Sequence, residues 1–158
     1  MSHRYRPNVT VACIIHHQHH FVMVEELIDN QIKFNQPAGH LEANESIFMA
    51  CQREIKEETG LDVAPQHLLG IDQYSASNEL AFLRFTFIVE LDELLPLRPL
   101  DPQIKAAHWL HFDEILHKQN QLRSPLVLKT IDDYYQGKQF DTSILNSDLL
   151  LIADANKA

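Results

Sequence analysis

Arg53, Glu54, Glu57 and Glu58 crowd six consecutive positions of this chain. Glu54, Glu57 and Glu58 stand at i, i+3 and i+4, the spacing at which side chains share one face of an α-helix. The spacing around them predicts a helix from Glu45 to Thr59, with Asn44 as its N-cap, Gly60 as its C-terminal stop and Phe48, Cys51 and Ile55 as its core stripe. Like charges at this spacing repel and weaken a helix, so an uncompensated trio is a poor choice for structure alone. Taken in isolation the three glutamates read as a solvated acidic face. A hard cation turns the repulsion into attraction, and Mg²⁺ or Mn²⁺ prefers oxygen ligands and bridges carboxylates to substrate phosphates.

The rest of the chain alternates strand and helix patterns. Val9 to Ile15 is short, apolar and β-branched and reads as a buried strand, with Phe21 to Glu26 as its hairpin partner. The run His16-His17-Gln18-His19-His20 between them reads as a solvated turn rather than a metal site. Phe34 to Gly39 leads into the acidic helix. Strand patterns return at Leu68 to Tyr74, Leu80 to Leu91 and Ile104 to Phe112, followed by a short helix near Asp113 to Lys118. In Leu80 to Leu91, Leu83, Phe85, Phe87, Val89 and Leu91 lie on one side and Phe82, Arg84, Thr86, Ile88 and Glu90 on the other. Ser124-Pro125 opens a last helix as N-cap and first-turn proline, Val127, Ile131 and Tyr134 share one face, and Gly137 ends it. Neighbouring strands joined by loops too short for a helix, mixed with helical segments, imply an α/β sandwich around a mixed β-sheet. No repeat or flexible linker divides residues 1–158, so a single domain is expected, with about 139–158 as a tail whose pattern fades.

Composition limits what this domain can do. Thirteen basic residues against 22 acidic ones give a net charge of -9, which argues against a nucleic-acid partner held by phosphate neutralisation. No apolar run approaches the roughly 20 residues of a membrane span, and Met1 to Asn8 is polar, so neither membrane insertion nor secretion is expected. Cys13 and Cys51 each lie in an apolar stretch and read as reduced core residues, which points to the cytoplasm.

Reading outward from the glutamates gives Gly39, Glu45, Arg53, Glu54, Ile55, Glu57, Glu58, Gly60 and Leu61. This resembles the Nudix box: a glycine, five residues, a glutamate, seven residues, then Arg-Glu-apolar-any-Glu-Glu-any-Gly-apolar, matched at every specified position. Asn35-Gln36-Pro37-Ala38-Gly39-His40-Leu41-Glu42, Phe82-Leu83-Arg84-Phe85 and Leu122-Arg123-Ser124-Pro125 are similar to the NudJ-like phosphatases of that family. The resemblance implies a Nudix-type α/β/α sandwich in which Glu54, Glu57 and Glu58 hold Mg²⁺, with the Ala38 carbonyl as a further ligand. It implies that Arg53 orients the carboxylates and that Glu45 fixes loop and helix, with Glu54 or Glu58 as general base. One departure stands out: many members carry an acidic residue before the later strand, where this chain has Gln103, and Asp101 is the nearest substitute.

The same resemblance implies hydrolysis of phosphoanhydride bonds in nucleoside tri- and diphosphates, and in the pyrimidine diphosphate precursor of thiamin, with release of orthophosphate. Arg84 and Arg123 are candidate phosphate contacts. Alternation along its strand turns Arg84 away from the apolar side, toward a groove or solvent. Phe34, Tyr74, Phe82 and Trp109 are candidates to stack on a substrate ring, with core packing as the competing role. No proline occurs between Pro65 and Pro96, unlike ADP-ribose hydrolases of the family, and the tyrosine of dinucleoside polyphosphate hydrolases is missing from that region. The alternatives are a sanitising pyrophosphohydrolase that releases pyrophosphate and a non-catalytic ligand-binding regulator. The partner expected is a small-molecule nucleotide or diphosphate, bound by a monomer or homodimer.

Overall fold

A computed structural model describes residues 3–152. In chain order the elements are β1 (Asn8–His17), β2 (His20–Ile28), β3 (Gln31–Asn35), β4 (Ala38–His40), α1 (Ile47–Thr59), β5 (His67–Ser75), β6 (Ala81–Glu90), β7 (Ile104–His111), α2 (Phe112–His117) and α3 (Leu126–Tyr135). β1 and β2 pair only at the turn, His16 with Phe21 and His17 with His20, and then part. Beyond that point β1 runs parallel to β6 from Asn8↔Phe82 to His16↔Glu90, while β4 pairs with it antiparallel. β6 pairs with the edge strand β5, and β2 takes β3 and β7, all antiparallel. The seven strands form one mixed sheet.

Both faces of β1 and β6 are apolar because both are covered. On one side Val11, Cys13, Ile15, Phe85, Phe87 and Val89 pack against Ala50, Cys51 and Ile55 of α1. On the other, Ile14, Phe21, Met23 and Ile88 meet Ile115 of α2 and Val127 and Ile131 of α3. Each fully buried side chain of this size stabilises the fold by about 2 kcal/mol. The result is the expected α/β/α sandwich, with the core stripe of α1 and the apolar face of α3 placed as their spacing predicts. Both cysteines are free and buried.

Local differences from the sequence reading have physical causes. Helix α1 begins at Ile47, capped by Ser46, whose Oγ accepts from the Met49 N–H at 3.0 Å. Asn44 instead takes a left-handed turn with φ 64°, a conformation asparagine tolerates, and Glu45 lies before the helix. Gly60 ends α1 with φ 76°, as expected. Phe34 to Gly39 contains parts of two strands, β3 and β4, too short to show a period. Only Gln18 and His19 separate β1 from β2, so most of the histidine run is strand, and His16 is buried against Tyr134 rather than solvated. The segment after Lys138 carries more order than its pattern suggests. Phe140 exchanges two backbone hydrogen bonds with Leu68, at 2.9 and 2.7 Å, and Leu145 packs on the first core. Residues 1–2 and 153–158, which include the start of the polar N-terminus and the end of the tail, lie outside the described residues.

Candidate active site

The carboxylate face of α1 opens onto a cleft of about 700 Å³ between the two wings of the sheet. Arg53 organises its near end. Its Nε and Nη2 fork onto the Glu45 carboxylate at 3.0 and 2.9 Å, Nη1 donates to Glu54 at 2.6 Å and to Glu57 at 3.3 Å, and Nη2 also reaches the His40 carbonyl at 3.1 Å. Five charge-assisted bonds leave this guanidinium one geometry. Glu45 also accepts from the Glu42 N–H at 2.8 Å, which ties the loop to the helix. The Arg53 bonds hold the Glu45 carboxyl below the usual carboxylate range.

Glu58 is the deepest of the three, 5% exposed, and its Oε2 accepts from the Ala38 N–H at 2.9 Å. Burial pushes its carboxyl up to about 9, against the pull of the Ala38 N–H, and the charges of Glu54, Glu26 and Asp101 push the same way. Burial likewise raises Glu54, with the Arg53 bond opposing. Glu57 is half-exposed at the mouth. Gly39 lies directly beneath Glu54: a Cβ there would overlap the carboxylate.

Among the described residues no three His, Cys, Asp or Glu side chains converge as a ready-made metal site. Glu54 and Glu57 face Arg53 and Glu58 faces Ala38. The donor chemistry nevertheless fits a hard cation, since the carboxylates of Glu26, Glu42 and Asp101 join those of the three glutamates around the cleft. A buried carboxyl raised by desolvation and by its acidic neighbours is what a divalent cation would return to the charged form.

The far end is different. Arg84 is 5% exposed rather than open to solvent, because the strands on either side and α3 enclose it, yet it lines the cleft. Its Nη2 donates to Gln36 Oε1 at 2.6 Å, and burial lowers its pKa to about 10. Tyr74 and Phe82 pair across β5 and β6, stack at 6.2 Å with 16° between their planes, and wall the cleft. Arg123 is exposed and lines the cleft. Phe34 does not. Alternation along β3 turns Asn35 into the cleft and Phe34 into the second core, where it is 6% exposed beneath Lys118. Trp109 also belongs to a core and donates Nε1–H to the Leu95 carbonyl at 2.8 Å. Asp101 and Gln103 both line the cleft, and the Asp101 N–H is bonded to the Glu57 carbonyl at 2.9 Å.

Sequence reasoning passed over Glu26, Asn35 and Gln36. Glu26 and Asn35 line the cleft, each with a buried oxygen that has no protein partner. Their only signal was a polar residue inside or at the end of an apolar strand. Gln36 carried none.

Box glutamates on one helix, facing a cleft between the splayed wings of a mixed sheet, define the class. The model of the NUDIX domain matches residues 4–130, and the chain belongs to the Nudix family of hydrolases. Within that family it resembles Phosphatase NudJ: the Escherichia coli strain K12 protein is 42% identical over 141 residues, covering 89% of this chain and 92% of that protein, and the Shigella flexneri one matches equally. A solved NUDIX hydrolase from Nitrosomonas europaea is 46% identical with a TM-score of 0.82, covering 89% of this chain and 97% of that one. The MutT protein of Methanosarcina mazei Go1, 18% identical with a TM-score of 0.71 over 87% of this chain and 99% of that one, shares the fold.

Proposed function

We propose that this protein is a Mg²⁺-dependent phosphohydrolase of nucleoside tri- and diphosphates, and of the pyrimidine diphosphate precursor of thiamin, that releases orthophosphate. The observation that carries this reading is the polarity of the cleft, with carboxylates at one end and a buried arginine beside an aromatic wall at the other. Bound Mg²⁺, for which Mn²⁺ could substitute, supplies a water activated near neutral pH and neutralises charge on phosphate oxygens. Glu54, Glu57 and Glu58 would hold it, with the Ala38 carbonyl alongside. Arg53 keeps the rotamers of Glu54 and Glu57 and, through Glu45, the loop that carries Gly39. The proton of the attacking water goes to Glu54 or Glu58. Arg84 and Arg123 take phosphate oxygens, and Tyr74 with Phe82 offers a flat surface to a ring. The NudJ name of its relatives and the free buried cysteines support a small-molecule enzyme of the cytoplasm.

The register of the polyphosphate decides the product, because displacing it by one phosphate exchanges orthophosphate for pyrophosphate. Incubation with GTP and Mg²⁺, without added pyrophosphatase, is expected to show transient GDP, then GMP, with orthophosphate at each step. Stoichiometric pyrophosphate without GDP would replace this reading with that of a sanitising pyrophosphohydrolase. Arg84→Ala is expected to lower kcat/KM while leaving Mg²⁺ binding intact.

A further inference from the structure

Gln36 lies in the short link between β3 and β4 and is 1% exposed. Its side chain joins the cleft to α3. Oε1 accepts from Arg84 Nη2 at 2.6 Å, and Nε2 donates to the Val127 carbonyl at 3.1 Å and to Thr130 Oγ1 at 2.9 Å. The Thr130 hydroxyl gives its own proton to the Leu126 carbonyl at 2.7 Å, which leaves a lone pair for Gln36. This amide has one orientation only, since a guanidinium has no acceptor and a carbonyl has no donor. Glutamate would set a carboxylate against the Val127 carbonyl, and an apolar residue would release Arg84.

Arg84 itself has no carboxylate partner among the described residues. Asp72 lies opposite it in the β5–β6 register but bonds Lys129. Arg84 Nε is sealed from solvent with no hydrogen bond. A buried cation with no carboxylate bonded to it is costly to the fold, since Asp72 attracts it only at a distance, and this one lines the cleft. Such a group is set for an anion, and a neutral amide is the partner that fixes it without neutralising it.

We propose that Gln36 is a positioning residue, which anchors on α3 and holds the Arg84 guanidinium in the orientation that receives an anionic oxygen of the substrate's polyphosphate. This deepens the reading of Arg84 as a phosphate contact and rests on it.

The test is a double-mutant cycle of Gln36→Met and Arg84→Met, with kcat and KM for GDP in Mg²⁺, pyrophosphate binding by calorimetry in Mg²⁺, and Tm. Gln36→Met is expected to raise KM about tenfold with kcat changed less than about threefold, and to weaken pyrophosphate to a similar degree. In the Arg84→Met background it should cost nothing further, because the group it positions is gone. Losses that multiply in the double variant, or a Gln36→Met protein with wild-type KM and pyrophosphate affinity, would overturn the proposal. If Gln36→Met fails to fold, Thr130→Val replaces it in the cycle, with an expected rise in KM of roughly twofold to threefold that again vanishes beside Arg84→Met. Wild-type protein that hydrolyses no nucleotide yet binds pyrophosphate in a Gln36-dependent way would defeat the hydrolase reading and uphold the positioning role. Normal hydrolysis with no effect of Gln36 would do the reverse.

Discussion

Glu58→Gln is expected to stabilise the metal-free protein while it abolishes hydrolysis. Folding lifts the Glu58 carboxyl from the ordinary 4.5 to about 9, so at neutral pH the native state must take up a proton that the unfolded chain does not hold. At pH 7.5 that uptake spans about three pH units at about 1.4 kcal/mol each, a ceiling of about 4 kcal/mol. Relaxation and water entry should reduce the observed gain to about 1–3 kcal/mol, or roughly 3–10 °C in Tm for a domain of this size. Glutamine keeps an oxygen for the Ala38 N–H and never ionises. The sign follows from the raised value. The contribution of Glu58 to stability is complete below about 4.5 and is lost as pH rises toward about 9, so metal-free wild type should weaken across that window and the variant should weaken less. Thermal melts in chelator at pH 5, 7.5 and 9 measure this. Saturating Mg²⁺ should then reverse the order, since an ion that binds only the native wild type adds to its stability. A variant no more stable than wild type at pH 7.5 in chelator, with an unchanged pH slope, would show that Glu58 stays ionised and hydrated, and the argument from burial would fail.

The other predictions address the rest of the carboxylate end. Gly39→Ala should displace the Glu54 carboxylate and raise the Mg²⁺ concentration for half-activity by about tenfold or more, with Tm lowered by only a few degrees, read from metal titrations and melts. Arg53→Ala should lower kcat by about a hundredfold while shifting the Mg²⁺ requirement less than about threefold, because it orients ligands without touching the metal. A variant in which only the metal requirement moves would place Arg53 in the electrostatics of the metal site instead. Glu57→Gln should reduce turnover by about a thousandfold or more with an unchanged circular dichroism spectrum, since it removes a ligating charge from a half-exposed position rather than a packing group.

Much of this protein could be read in the linear chain because the relevant signals are local. The helix period that puts Glu54, Glu57 and Glu58 on one face also puts Cys51 and Ile55 on the core, and Gly60 stops the helix with a left-handed turn. Alternation along β6 separated two faces correctly, and the box spacing identified the residues gathered at the near end of the cleft. What depends on distant segments was not readable. Strand alternation shows that Arg84 and Phe85 face opposite ways, but whether the Arg84 side is solvent or interior depends on α3, which begins 42 residues further on at Leu126, being laid over it. For the same reason Phe34 belongs to a core, and Gln36, which looks like any polar loop residue, bonds to a helix turn that only the tertiary fold brings near. Adjacent in sequence, Glu58 is buried against Ala38 while Glu57 is left half-exposed beside Arg53. Period and spacing are properties of neighbours along the backbone, whereas burial, and with it charge state, is set by what the rest of the chain packs on top.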